Sequence, residues 1–210
     1  MISVDKQDRV WIVTLDRPNK ANSLTKSMLS ALCDVMDTAL TAKLGALILT
    51  GTGKVFSAGA DLSEARNGLA TDPVWEELST RIAALPCLTI AALNGTSAGG
   101  AFGMILACDL RITVPSANFF YPVMKLGFLP QPSDPMRMTC LMGPARAKMI
   151  LMAGQKIDAD TAAQWGLIDR VVASDTLLQT AMTIGADAIA ADNAHVRAIK
   201  RMVPSSAAGP

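Results

Sequence analysis

The chain has 210 residues, half of them hydrophobic and only 4% aromatic, with a net charge of +1. That balance leaves no basic footprint for nucleic acid, no apolar run reaches membrane-spanning length, and Met1 to Arg9 is too polar for a signal peptide. The expectation is a cytoplasmic α/β domain with a sizeable core and no nucleic-acid or membrane partner.

Val10 to Leu15 is the first β-type run, and Asp16-Arg17-Pro18-Asn19 ends it in a turn. Thr25 is placed to cap a helix in which Met28, Leu29, Leu32, Val35, Met36, Ala39 and Leu40 recur at helical spacing. Ala46-Leu47-Ile48-Leu49-Thr50 reads as a strand, and a glycine-rich segment, Phe56-Ser57-Ala58-Gly59-Ala60-Asp61-Leu62, follows it closely. Residues 63–72 read as a polar loop, and Pro73 suits the first turn of a helix running to about Leu85. Leu88-Thr89-Ile90-Ala91-Ala92 is a second strand, followed by Asn94-Gly95-Thr96-Ser97-Ala98-Gly99-Gly100 and an apolar helix over Ala101 to Ala107. Leu110 to Val114 and Ala117 to Tyr121 are strand-like. The proline-rich stretch 122–135 reads as an irregular loop. From Pro144 the pattern is helical, over Ala145–Met152, Asp160–Trp165, Thr176–Ala191 and Ala194–Met202, with Gly154 and Gly166 where helices stop. The division predicted is a core over 1–190, a short helical region over 191–202 and a disordered tail over 203–210.

Two strand–turn–helix junctions side by side would aim two backbone N–H groups at one oxygen. That is an oxyanion hole, which stabilises negative charge developing on a carbonyl. The bland alternative is that the glycines permit tight turns and close packing. Cys33, Cys87, Cys108 and Cys140 match no zinc spacing and sit in apolar stretches, so buried reduced thiols and no metal site are expected.

In order along the chain, Asp16-Arg17-Pro18 with Lys20 and Asn22, Leu49-Thr50-Gly51, Phe56 to Leu62, Asn94-Gly95, Gly99-Gly100, Cys108-Asp109-Leu110-Arg111, Leu126-Gly127, Arg137 and Trp165-Gly166-Leu167-Ile168-Asp169 form one pattern. It resembles the crotonase superfamily, also called the enoyl-CoA hydratase/isomerase family. The resemblance implies a crotonase-like ββα spiral, with two roughly perpendicular sheets flanked by helices and a truncated C-terminal helical region. Relatives continue with helices that roof the acyl pocket, which a neighbouring subunit would supply here if the roof is not absent. It also implies a homotrimer or hexamer acting on acyl-CoA thioesters, with coenzyme A as part of the substrate and no tightly bound cofactor. The thioester oxygen would sit between the N–H groups of Ala58 and Gly100. Ala60, Asp61 and Leu62 would line the adenine pocket, Lys20 and Ala21 the CoA entrance, and Lys54 would meet a phosphate.

The family's hydratases use two glutamates, and the matching positions here are Gly103 and Val123. Some isomerases place a carboxylate after the next proline, where this chain has Gln131. No glutamate follows Glu77. Two absent acid–base groups, each contributing about 10²–10⁴ in rate, make ordinary hydratase activity doubtful. Asp134 is the best replacement acid–base, against the bland reading of a solvated loop aspartate. Tyr121 is a further proton donor or a packed wall, and Glu64 is near the entrance or solvent-facing. Asp61 should brace its turn, and Asp109 should fix backbone N–H groups before the next strand. Phe102, Met104 and Met124 are candidates to line the acyl pocket. Ser97 invites comparison with Clp serine peptidases of the same general fold, but His195, the lone histidine, sits near the C-terminus, where it is poorly placed to serve it. Two functions stay open: an enolate-stabilising acyl-CoA enzyme with an atypical site, and a non-catalytic acyl-CoA-binding or scaffold protein.

Overall fold

The structure, a computed structural model, describes residues 1–203. In chain order its elements are β1 (Ile2–Gln7), β2 (Val10–Leu15), α1 (Lys26–Thr41), β3 (Ala46–Gly51), β4 (Val55–Ser57), α2 (Leu62–Arg66), α3 (Val74–Ala84), β5 (Leu88–Leu93), β6 (Thr96–Ala98), α4 (Ala101–Ala107), β7 (Leu110–Thr113), β8 (Asn118–Phe120), α5 (Val123–Leu126), α6 (Asp134–Met142), α7 (Pro144–Leu151), β9 (Ile157–Asp158), α8 (Ala159–Trp165), β10 (Arg170–Val171), α9 (Leu177–Ala190) and α10 (Asn193–Met202). Short 3-10 turns lie at Pro18–Lys20, Leu69–Thr71 and Ser174–Thr176.

The strands form two mixed sheets, six-stranded in the order β1-β2-β3-β5-β7-β10 and four-stranded in the order β4-β6-β8-β9. Three successive strand pairs, β3/β4, β5/β6 and β7/β8, each give one strand to each sheet, parallel to its neighbour from the next pair. Ala46 to Thr50 of β3 are all buried, as a parallel strand covered on both faces requires. Thr25 caps α1, its hydroxyl accepting from Met28 N at 3.2 Å. The buried face of that helix is Met28, Leu29, Leu32, Cys33, Met36 and Ala39. On the large sheet, α9 packs so closely that a Cβ on Gly45 would strike the backbone of Ala188 and Ile189.

Several expectations need correction. Met1 to Arg9 holds strand β1, an edge strand whose Ile2 and Val4 pack on the core while its other residues are exposed. Half-burial of only two residues left a weak apolar signal. Residues 63–72 are not one loop: Asp61 caps α2 through Ser63 N, and a 3-10 turn follows. The stretch 122–135 holds α5, ended by Gly127 in the left-handed region at φ 73°, and the start of α6. Pro135 sits in the first turn of α6, where proline loses no helical bond. Cys33, Cys87 and Cys108 are buried, whereas Cys140 is exposed. The predicted tail falls almost wholly outside the described residues.

The last two helices are tied to the start of the chain. The Arg9 guanidinium donates to Ile189 O and Ala191 O, and Asn193 Nδ2 donates to Leu44 O at 3.2 Å. Lys200 Nζ donates to Cys87 O at 2.8 Å and pairs with Asp109 at 2.6 Å. Among the described residues, no helix is long and apolar enough to cross a membrane.

Candidate active site

The two glycine-rich turns follow β4 and β6, which pair in parallel, so they lie side by side. Gly59 has φ 87° and Gly99 φ 56°, a region open to glycine at little cost. A Cβ on Gly59 would come 2.8 Å from Ala98 O and 3.3 Å from Gly100 N. The first turn therefore presses directly on the amide of the second.

Leu24 bridges Ala60 in parallel. Leu24 N–H donates to Gly59 O and Asp61 N–H to Leu24 O, both at 2.8 Å. In such a bridge the central residue's own N–H faces the opposite edge, so Ala60 N points away from Leu24. Among the described residues neither Ala60 N nor Gly100 N makes a hydrogen bond. Ala58, the donor expected from the pattern, differs: its N–H donates to Ala21 O at 3.0 Å. That hydrogen is spent inside the loop, and the open amide of the turn belongs to Ala60, two residues on. In a regular extended segment the N–H groups of residues 58 and 60 would face the same way; Gly59 at φ 87° between them breaks that alternation, and a glycine pattern does not say which amide is left facing out.

Ala21 and Asn22 both have φ 50°, a conformation that costs a non-glycine residue about 1–3 kcal/mol. Asn22 is held there by its side chain, which accepts from Arg17 N at 2.7 Å and donates to Thr52 O and Val55 O. Ser57 Oγ donates to Asn22 O and accepts from Gly59 N. The segment 17–24 is thus the frame that sets the first turn.

Beside this turn is an open cavity of about 560 Å³ whose lining includes Lys20, Ala58, Ala60, Asp61 and Leu62, together with Arg17 and Arg66. Ala21 and Lys54 line a smaller neighbouring one of about 270 Å³. Asp61 acts as a brace: Oδ1 accepts from Ser63 N and Oγ, and Oδ2 pairs with Arg17 Nη1 at 2.8 Å. The Ser63 and Arg17 bonds hold its carboxyl well below the usual carboxylate range. The sequence pattern includes Arg17 in Asp16-Arg17-Pro18 without giving it a role, and carries no signal for Arg66.

Asp134 is not a solvated loop residue. It is fully buried at the first turn of α6, with Oδ2 accepting from Tyr121 Oη at 3.0 Å. Its Oδ1 is buried and makes no hydrogen bond among the described residues. Burial pushes the carboxyl up to about 7; the Tyr121 bond and the Arg137 charge lower it, and Glu76 raises it. Burial also pushes the Tyr121 phenol upward, so the phenol stays protonated. Tyr121 stacks on Phe102 with ring centroids 5.2 Å apart. Glu76 accepts from Ser133 N at 3.2 Å and from Ser133 Oγ, fixing the residue before Asp134. Gln131 links this cluster to the second turn, its Nε2 donating to Gly100 O at 3.0 Å.

The remaining candidates lie elsewhere. Met104 is core and Met124 is exposed. Glu64 caps α1, accepting from Lys26 N at 2.6 Å. Asp109 does fix backbone, accepting from Thr89 N at 2.8 Å, though on the neighbouring strand β5. Val123 is buried at the start of α5. Ser97 is buried in β6, and His195 is exposed on α10.

Residues 5–208 match the family model described as enoyl-CoA hydratase/isomerase. A probable enoyl-CoA hydratase of Mycobacterium leprae is 35% identical over 187 residues, which is 87% of this chain and 73% of that protein. A carnitinyl-CoA dehydratase of Citrobacter koseri is 34% identical, over 90% of this chain and 75% of its own length. The crystal structure of an enoyl-CoA hydratase from Bacillus anthracis superposes with a TM-score of 0.90 at 32% identity, covering 96% of this chain and 81% of that one. Its similarity extends to the whole two-sheet arrangement.

Proposed function

The chain belongs to the enoyl-CoA hydratase/isomerase family, and from that membership we propose that it binds acyl-CoA thioesters and forms their enolates. The thioester oxygen accepts from the N–H groups of Ala60 and Gly100. The observation that carries this is the contact of the two glycine turns, with both amides outside the hydrogen bonding of the fold. Each such donor contributes roughly 2.7–4 kcal/mol to the charged state. The cavity beside Ala60, with Arg17, Lys20 and Arg66 on its rim, suits the anionic coenzyme A portion. Coenzyme A is thus part of the substrate and not a resident cofactor.

Asp134 supplies the acid–base group. A carboxyl at about 7 has comparable amounts of both forms near neutral pH, the condition under which one group serves as base and then acid. As carboxylate it takes a proton from the carbon next to the thioester carbonyl, and the electron pair moves onto the carbonyl oxygen between the two amides. As carboxylic acid it returns that proton to the same carbon or to one further along the conjugated chain. One carboxyl moving one proton gives isomerisation or exchange. Adding water would need a second group, and Gly103 and Val123 bear none. Exposed Leu126, Leu129 and Met136 support self-association as a homotrimer or hexamer, and the reading carries a cytoplasmic setting. A non-catalytic acyl-CoA-binding role is the second reading, favoured by the complete burial of Asp134.

The test is deuterium incorporation from heavy water into a saturated acyl-CoA, followed by mass spectrometry, alongside a panel of enoyl-CoAs. Exchange that disappears in Asp134→Asn supports the enzyme. Binding without exchange in the wild type selects the second reading, and no binding ends both.

A further inference from the structure

Gly103 and Gln131 face each other between α4 and the loop before α6. Gln131 Nε2–H donates to Gly100 O at 3.0 Å, an oxygen that also accepts from Gly103 N at 3.2 Å. The Gln131 backbone is fixed as well: its N–H donates to Tyr121 Oη at 3.3 Å, and its carbonyl accepts from Asp134 N at 3.1 Å. The carboxamide lies flat against Gly103. A Cβ there would collide with Oε1, and would lie 3.0 Å from Cδ and 3.2 Å from Nε2. Oε1 is buried and makes no hydrogen bond among the described residues. Its neighbour is the Cα–H face of Gly103, a weak acceptor contact at best.

A buried acceptor left with so poor a partner costs free energy. The gain for this arrangement is the bond made at the other end of the same amide, on the residue whose N–H lies open. Gly100 sits at φ −58°, ψ −17°, and as a glycine it has wide freedom to leave that conformation. Anchoring its carbonyl restricts the rotation that would re-aim its N–H. Any side chain at position 103 would expel the carboxamide that does this.

We infer that Gln131 is a positioning residue for the Gly100 amide, and that Gly103 and Gln131 work as one coupled unit. The inference rests on the proposed role of Gly100 as a donor to the thioester oxygen. It also gives Gly103 a purpose of its own: the glycine makes room for a neutral group that orients the site.

The experiment compares affinity for a saturated acyl-CoA thioester with affinity for the matching CoA thioether, which lacks the carbonyl oxygen. Tryptophan fluorescence is a suitable signal, because the Trp75 ring packs on Gly100, 3.0–3.1 Å from where a Cβ would stand. Wild type should prefer the thioester. Gln131→Ala and the near-isosteric Gln131→Met should each reduce that preference about five- to tenfold, the loss of one hydrogen bond, with thioether affinity unchanged. A preference unaltered in both variants overturns the inference and leaves the proposed thioester contact standing. Equal losses for thioester and thioether mark a merely structural role and overturn it too. A wild type with no thioester preference removes the thioester contact, and the inference with it. Thermal unfolding tests the coupling without ligand. Gly103→Ala moves the carboxamide off Gly100 O, so adding Gln131→Ala should lower the melting temperature less in the Gly103→Ala background than in wild type. Equal losses from Gln131→Ala in the two backgrounds overturn the pairing.

Discussion

Replacing Asp134 by asparagine should make the protein more stable, and increasingly so as pH rises. Burial moves this carboxyl from 3.8 to about 7, which corresponds to about 4 kcal/mol of preference for the neutral form in the folded chain. The folded state then binds more protons than the unfolded state between the two values. Stability contributed by this group is therefore full below about pH 4, falls as pH rises toward 7, and levels off above. Asparagine keeps an acceptor for the Tyr121 hydroxyl and cannot ionise. Other groups cancel when the two proteins are compared, so the difference isolates residue 134. Between about pH 5 and pH 8 wild type should lose about 3 kcal/mol relative to Asp134→Asn. Part of the gain is offset by the new amide N–H, which costs about 1–3 kcal/mol if it finds no acceptor; that offset is independent of pH. Urea unfolding across this range measures the difference at each pH. A difference that stays flat, or that shrinks as pH rises, would show that Asp134 is ionised at no unusual cost and would remove the acid–base argument.

Tyr121→Phe takes away the hydroxyl that lowers the Asp134 carboxyl and accepts from Gln131 N. The acid limb of the exchange rate should move to higher pH, with a stability loss of about 1–2 kcal/mol by urea titration. Gly59→Ala forces a left-handed φ and a Cβ against Ala98 O and Gly100 N. The expected result is a loss of about 1–3 kcal/mol in stability and a larger proportional loss of thioester than thioether affinity; a variant that binds both normally contradicts the proposed geometry. Lys200→Met removes both the largely buried pair with Asp109 and the bond to Cys87 O, at about 1–3 kcal/mol. Hydrogen exchange should speed up in α10 first, leaving the core strands protected.

What the sequence revealed depended on how far each signal travels. The Thr25 cap and the helix behind it were legible because capping and periodicity act within a few residues. The same holds for the strand over 46–50, which the structure places at the centre of the large sheet. β1 is not legible in the sequence because only Ile2 and Val4 touch the core. Residues 123–126 and the start of α6 are hidden by neighbouring prolines, which break a helix interior, although Pro135 occupies a first turn that tolerates it. At the site, glycine spacing found the two turns but missed the direction of their amides. Ala58 and Ala60 are the same residue type in one loop, and contacts with a distant segment distinguish them: the Ala58 N–H bonds Ala21 O, and Ala60 bridges Leu24. Asp134 is pointed to by the resemblance, as the carboxylate in the proline-rich loop that faces the acyl chain in relatives. Its burial and its Tyr121 partner arise from packing between segments, which no local pattern records.

The grip of Arg9 on the carbonyls of Ile189 and Ala191 sets a timetable for the molecule. During synthesis that guanidinium leaves the ribosome some 180 residues ahead of the oxygens it must meet, a separation of the kind that slows folding. The hairpin of β1 and β2 therefore waits for the end of α9 before Arg9 finds its partners, and these contacts form only after residues 189–191 have been made.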